Sequence, residues 1–462
     1  MSSLVSVVIP SYNRSALAAQ AIESVLGQSY GDFEIVFVDD GSIDDTRQVV
    51  AAYDNSRIRY IYQENAGLGA ARNMGIARAQ GQYVAFLDSD DLFLPRCLEH
   101  QVHTFERETS AGFVAGGYVL IDETGQRLAA RRPWQHLPRV DLLAALRALP
   151  LIPSGMVVRK EWLEKMGGFS NMRRSEDYDL WIRLIYGGCS MAWTPHLVCG
   201  YRIHSGQMVN DGRSQKESAL VALDRFFAQP GLPEPLNQQR DKVYALAYLS
   251  GAFREYGAGQ VDDARASLAQ AIALNPALMA GPAPQVADAL LGWAVDPITG
   301  DPVDYIQHVL AHLPPAAASM NAKEQRLVYA AAIRSAVDAI EVDNIALARD
   351  YLKPLGQARY RPGNNPDLFI TLAAEAVRGC EMDTQEVVLD QIFACLPDGA
   401  AAAWRRKTLG RVYMAHSFTC LGRGARREAR RWAWQGVRQD PAWLKNRGVL
   451  SILGKPSILR TA

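Results

Sequence analysis

At 462 residues the chain is too long for one ordinary domain and reads as about two or three. Its 49 lysines and arginines balance 49 aspartates and glutamates, so no global field favours a nucleic-acid partner. The six cysteines form no CxxC pair, which speaks against a zinc module or a disulfide framework and for a reducing compartment. The N-terminal residues lack a charged region ahead of their short apolar run, and no stretch reaches the roughly 18 apolar residues of a membrane span. The expected location is cytoplasmic, at most peripheral at the inner face of a membrane.

"LVSVVI" (4–9), stopped by Pro10, and "DFEIVFVDDGS" (32–42) read as buried strands joined by the helical "SALAAQAIESVLGQS", with Leu17, Ala21, Ser24 and Val25 on one side. A third strand, "IRYIYQE" (58–64), follows the helix-like "DDTRQVVAAY"; "GLGAARNMGIARAQG" then supplies a helix and "QYVAFLD" a fourth strand. This β-α-β-α-β-α-β succession predicts a parallel sheet covered by helices on both faces, with ligands beyond the carboxyl ends of its strands. After residue 110 the pattern changes: "GFVAGGYVLIDETGQ" predicts a hairpin, "VDLLAALRALP" a helix, "SGMVVRKEWLEKMGGF" a strand running into a helix, "SEDYDLWIRLIYGG" a helix and "MAWTPHLVCGYRIH" (191–204) a strand.

From about 215 onward strand signals nearly vanish. A boundary near 212–220 divides residues 1–215 from an α-helical domain, 216–462. Ala252, Gly259, Ala264, Leu268, Ala271 and Pro276 recur in spacing as Ser417, Gly424, Ala429, Ala433, Gly436 and Pro441. Small residues at these offsets predict two antiparallel helical hairpins of weak tetratricopeptide-like character. Such a region either binds a protein partner or stabilises or dimerises the chain.

Three strand ends carry polar groups, "PSYNR", "VDDGS" and "LDSDD", and parallel strands bring them to one edge. Taken alone, "DSDD" is equally a helix N-terminus, where acids are favoured. Beside the other strand ends, a compact set of carboxylates suits Mg²⁺ or Mn²⁺ arriving with a diphosphate, which completes the metal's oxygen shell.

"VSVVIPSYNR", "DFEIVFVDDGSIDDT", "NAGLGAARNMGIARAQGQYVAFLDSDD" and "SEDYDLWIRL" together resemble the family 2 glycosyltransferases, inverting enzymes of the GT-A fold, over about residues 4–205. The resemblance implies an α/β fold, a Rossmann-like nucleotide-diphospho-sugar transferase domain followed here by an all-α helical-hairpin domain. It implies transfer of a sugar, hexosyl in type, from a nucleotide-diphospho-sugar to an acceptor hydroxyl of a glycan or lipid-linked chain, in surface polysaccharide or glycan assembly.

Carried over residue by residue, Pro10 and Tyr12 match the loop that packs on the nucleotide base. Asp40 matches the aspartate that reads uracil, making a UDP-sugar the leading donor, while Asp39 supports the loop. Arg72 matches a phosphate contact; its alternative is a solvated or internally paired arginine. Asp90 matches the direct metal ligand, Asp88 a contact to ribose or metal, and His204 a histidine that reaches the metal or diphosphate. Asp91 is expected to cap the following segment. Inverting transfer needs a carboxylate base opposite the leaving group. Asp177 matches it, with Glu176 orienting substrate hydroxyls; Ser175 reads equally as a helix cap, Asp179 as structural and Trp181 as core.

Other readings have less behind them. "GLGAAR" lacks the third glycine of a dinucleotide fingerprint and follows the third strand rather than the first. A DxD phosphatase places its acids after the first strand, and glycoside hydrolases need no metal-binding acids beside a nucleotide loop. A non-catalytic nucleotide-sugar-binding or scaffold protein acting through the helical domain is the alternative from another class. The arginine-rich "GRGARREARRWAWQGVR" (422–438), with Trp432 and Trp434, leaves contact with an anionic membrane open beside a hairpin helix with a solvated basic face.

Overall fold

The protein is described by a computed structural model over residues 4–147, 150–204, 206–207, 211–380, 384–396 and 401–453. The first half runs β1 (Val5–Ser11), α1 (Ser15–Leu26), β2 (Phe33–Asp40), α2 (Thr46–Ala51), β3 (Ile58–Gln63), α3 (Leu68–Arg78) and β4 (Tyr83–Phe86). β1 lies between β2 and β4, parallel to both, and β3 extends the parallel set beyond β2. β1, β2 and β4 are buried along their whole length, which is why they read as unbroken apolar runs.

Side chains alternate between the two faces, as strand geometry requires. Val5, Val7, Ile9, Ile35 and Phe37 meet Ala18, Ala21, Ile22 and Val25 of α1; Val8, Val36, Val38 and Phe86 meet Ala71 and Ile76 of α3. The close approach of α3 explains one glycine of its run: a Cβ on Gly75 would lie 2.2 Å from Val8 Cγ1. Of the glycines of "GLGAARNMG", Gly75 serves helix–sheet packing and Gly69 helix–loop packing, whereas Gly67 has open space around it and takes a φ of 92°.

The chain continues through β5 (Leu92–Phe93), α4 (Cys97–Arg107), β6 (Ala111–Ile121), β7 (Arg127–Arg131), α5 (Leu142–Leu146), β8 (Met156–Arg159), α6 (Lys160–Lys165), α7 (Glu176–Tyr186) and β9 (Ser190–Arg202). The sheet order is β3-β2-β1-β4-β8-β6-β9-β5, with β7 on β6. The sheet is therefore mixed: β8 is antiparallel to β4 and β6, whereas β9 is parallel to β6. The stretch expected to be a hairpin is mostly the single strand β6, and its antiparallel partner β7 comes after it. Helix α5 occupies the start of "VDLLAALRALP", of which residues 148–149 lie outside the described set.

Contacts divide the chain into two compact units, Met1–Ala289 with His312–Ala318, and Leu290–Ala311 with Ser319–Ala462. Beyond the sheet the first unit contains α8 (Gly212–Phe227), α9 (Glu234–Asn237), α10 (Arg240–Gly257) and α11 (Val261–Leu274). α10 and α11 form a hairpin about Gly259, which takes a φ of 72° that a side chain resists, and Ala252, Ala264, Leu268 and Ala271 are fully buried.

α12 (Gln285–Ala294) spans the division, and the second unit holds α13 (Pro302–Ala311), α14 (Glu324–Glu341), α15 (Ile345–Leu352), α16 (Pro366–Ala376), α17 (Gln385–Ala394), α18 (Ala401–Gly422), α19 (Arg426–Gln439) and α20 (Arg447–Leu453). Its centre is α14, apolar on nearly every side from Leu327 to Ile340. α18 and α19 form the second hairpin, where Ala429 and Ala433 are fully buried and Ser417 Oγ donates to the carbonyl of Ala429 at 2.7 Å.

Candidate active site

The carboxyl ends of β1, β2 and β4 bring "PSYNR", "VDDGS" and "DSDD" together, and α7 delivers "SED" beside them. Pro10 is buried within β1, whereas Tyr12 is 48% exposed, so its ring is a surface group and not core packing. The β1 and β2 loops are tied to each other: the Asn13 N–H donates to Ser42 Oγ at 2.9 Å, and Asn13 Oδ1 accepts from the Ile43 N–H at 2.9 Å. Asp39 holds its own loop by accepting from the Ser42 N–H at 2.8 Å and from the Tyr60 hydroxyl at 2.6 Å. Both oxygens of Asp40 are engaged within the chain, Oδ1 by Gln63 Nε2 (2.6 Å) and the Ala66 N–H (2.9 Å), Oδ2 by the Gly67 N–H (2.9 Å).

Arg72 joins two of the motifs. Its guanidinium is buried, donating from Nη1 to Glu176 Oε1 at 2.5 Å and from Nη2 to Asp88 Oδ1 at 2.6 Å, with its flat face 5.2 Å from the centre of the Phe169 ring. The internally paired alternative is thus its arrangement here. Burial alone works against the charge of Arg72, but Asp88, Glu176 and Asp177 hold it protonated beyond its usual range. Burial lifts Glu176 to about 7 against the pull of Arg72, and lifts Asp177 in the same direction. Glu176 is thus a carboxyl whose proton affinity lies near neutrality, and Asp177 beside it is raised in the same direction by burial.

The loop before α7 is gripped by α3: Asn73 donates to the Phe169 carbonyl and accepts from its N–H, both at 2.8 Å. A Cβ on Gly69 would lie 2.8 Å from the Ser170 carbonyl oxygen. Ser175 has a left-handed φ of 55° and makes no side-chain capping bond, so its expected capping role is not realised. Asp177, half-buried, accepts from the Tyr178 N–H at 2.7 Å. Asp179 pairs with Arg183 at 2.8 Å on the same helix, and Trp181 is core.

Asp90 faces two groups. Its Oδ2 accepts from Arg14 Nη1 and lies 3.0 Å from His204 Nε2. The Gly206 N–H donates to His204 Nδ1 at 3.2 Å, which leaves the ring proton on Nε2, directed at Asp90. Burial, then repulsion by Arg14, lowers the histidine's pKa and keeps the ring neutral.

Asp91 does not cap a helix. It accepts from Ser154 Oγ at 2.6 Å and from the Arg202 N–H at 2.9 Å, linking the end of β4 to β9, and burial raises it to about 7. Sequence reasoning missed three residues here: Arg14, Ser154 and Arg202. The side chain of Arg202 reaches the carbonyls of Asp90, Asp122 and Glu123 and the amide oxygen of Gln20. Their only sequence signal was position beside a motif, since each acts on a residue far away in the chain.

Among the described residues no group of three or more histidines, cysteines or acids is gathered to hold a metal. The pair Asp90 and His204 still matches the chemistry of a site at which the protein supplies two donors and a diphosphate and water supply the rest. No helix among the described residues is long and apolar enough to cross a membrane.

The model of the glycosyl transferase family 2 matches residues 6–167. An uncharacterized glycosyltransferase of Rickettsia conorii is 35% identical over 232 residues, 48% of this chain, which spans only 38% of that relative's length. One from Rickettsia prowazekii is 33% identical over 47% of this chain and 69% of its own. A putative teichuronic acid biosynthesis glycosyltransferase of Bacillus subtilis is 35% identical over 43% of this chain and 79% of its own. Among solved structures, S. aureus TarS in complex with UDP-GlcNAc covers 76% of this chain and 92% of its own, at 18% identity and a TM-score of 0.45. The matched family model, with two relatives at least 33% identical that are covered over more than two thirds of their length, shows the family: the chain belongs to the family 2 glycosyltransferases.

Proposed function

We propose that the chain is a metal-dependent inverting glycosyltransferase that moves a sugar from a nucleotide-diphospho-sugar, a UDP-sugar first among them, to an acceptor hydroxyl in surface polysaccharide or glycan assembly. Residues 1–215 carry the chemistry in this reading and 216–462 form the helical domain. The observation that carries it is the buried Arg72 clamp on Asp88 and Glu176, which sets the acidic strand end beside the candidate base.

Tyr12 stacks on the nucleotide base from its exposed position. Pro10 shapes the loop beneath it, and Asp40 keeps the β2 loop in place while facing the base. Asp90 and His204, with Asp88 nearby, would hold Mn²⁺ or Mg²⁺, which when bound would supply positive charge against the departing diphosphate. Arg14, which donates to the same Asp90 oxygen, would have to release it for that oxygen to ligate a cation. Asp177 accepts the proton of the acceptor hydroxyl as that oxygen bonds to the anomeric carbon and the bond to the diphosphate breaks, inverting the centre. Glu176, fixed by Arg72, directs the hydroxyls of donor or acceptor.

The test is nucleotide release from UDP-, GDP- and dTDP-sugars with Mn²⁺, compared between wild type and Asp177→Asn. The expected result is a loss of about 10²- to 10⁴-fold in kcat with donor affinity retained by calorimetry. Unchanged turnover in the variant removes Asp177 as base. Donor binding with no turnover in the wild type favours the non-catalytic reading.

A further inference from the structure

The zero net charge of the whole chain conceals a strong local excess. Between residues 401 and 453 twelve lysines and arginines stand against two acids, Glu428 and Asp440, a net +10. Four of the twelve lie on α18, and five, all arginine, lie on α19. Arg427, Arg430, Arg431, Trp434 and Arg438 are exposed there and, at 100° per residue, fall within a sector roughly 100° wide. The opposite side of the helix, Ala429, Ala433, Gly436 and Val437, is buried.

Among the described residues no ion pair joins Arg427, Arg431 or Arg438 to an acid. Like charges three and four residues apart repel, so folding alone gives no reason for the arrangement. The two tryptophans of the helix divide between its sides. Trp432 stacks on Tyr413 at 5.6 Å, inside the hairpin, whereas Trp434 is 42% exposed at the centre of the arginine sector.

We propose that this face of α19 docks the protein on an anionic, phosphate-bearing bilayer surface. The face is the exposed side of a helix, and its groups spread along three turns, which suits an extended surface of charges. The basic groups are all arginine, whose planar fork takes phosphate oxygens two at a time. An indole among them places an apolar body and one N–H donor at headgroup depth. The apolar side of α19 is already buried against its own hairpin, so the helix adsorbs without inserting, and salt reverses the attachment.

The full chain is floated with vesicles containing phosphatidylglycerol and, separately, with phosphatidylcholine alone. The expected result is co-flotation with the anionic vesicles only, lost in about 1 M salt, where the Debye length falls to about 3 Å. The Arg427→Gln/Arg431→Gln/Arg438→Gln variant partitions on the order of 100-fold more weakly, about fivefold for each arginine. Its far-UV circular dichroism and its turnover in solution stay at the wild-type level, which separates lost docking from lost folding. Failure to float with anionic vesicles, equal binding to phosphatidylcholine, or undiminished binding of the triple variant overturns the proposal. Capture on immobilised heparin without vesicle binding also overturns it and assigns the face to a soluble polyanion. None of these outcomes bears on Asp177, so the transfer chemistry stands or falls separately.

Discussion

Replacing Arg72 by methionine keeps most of the apolar stem and removes the one cation that, among the described residues, bonds to both Asp88 and Glu176. Breaking a buried ion pair from one side costs about 3–5 kcal/mol, because the partner charge is left uncompensated. The side chain of Glu176 is 5% exposed and that of Asp88 is 24% exposed, so water screens part of the second loss and the lower end, about 3 kcal/mol, is the appropriate figure. Hydrogen exchange of peptides covering 83–93 and 176–186 should therefore quicken about 100-fold at pH 8.

The defect depends on pH with a definite sign. Glu176 sits at about 7 against 4.5 in its unperturbed state, and losing Arg72 raises it further. An acid whose folded pKa lies above its unfolded one binds more protons in the folded state, so stability falls as pH rises between the two values. The variant should then be nearly as protected as wild type at about pH 5, and adding Glu176→Gln should recover much of the protection at pH 8. Equal loss at both pH values, or no rescue by the second substitution, would refute the reasoning.

Arg14→Gln removes the guanidinium that shares Asp90 with His204. If that guanidinium and a divalent cation compete for one carboxylate, the variant should bind Mn²⁺ about tenfold more tightly without nucleotide, read from the free-ion signal in electron paramagnetic resonance. Unaltered affinity would separate Arg14 from the cation site. Gly75→Ala drives a methyl to 2.2 Å from Val8 Cγ1, and overpacking of about 1–3 kcal/mol should exceed the roughly 1 kcal/mol gained in helix propensity. The thermal midpoint should fall, with recovery on adding Val8→Ala; a rise would show that α3 moves away freely.

Local pattern was enough to place β1 to β4, because strands covered on both faces are unbroken apolar runs that end abruptly in polar residues. The small-residue spacing also marked the two helical hairpins, and the structure adds that Gly259 and Gly424 take a positive φ that a residue without a Cβ adopts easily. The same reading failed at β6 and β7, since a strand buried on both sides has no alternation to mark where a hairpin turns.

What the sequence determined by itself was the set of chemical groups, their delivery to the carboxyl edge of a parallel sheet, and the family. What only the tertiary structure decided was the pairing of those groups. Arg72 turns inward to Glu176, 104 residues away, Arg14 and His204 converge on Asp90, and Asp91 bonds to β9. Spacing along the chain carries information over one helical turn or one strand step. An ion pair across a hundred residues depends on where whole elements pack, and burial then sets the proton affinity of the carboxyls.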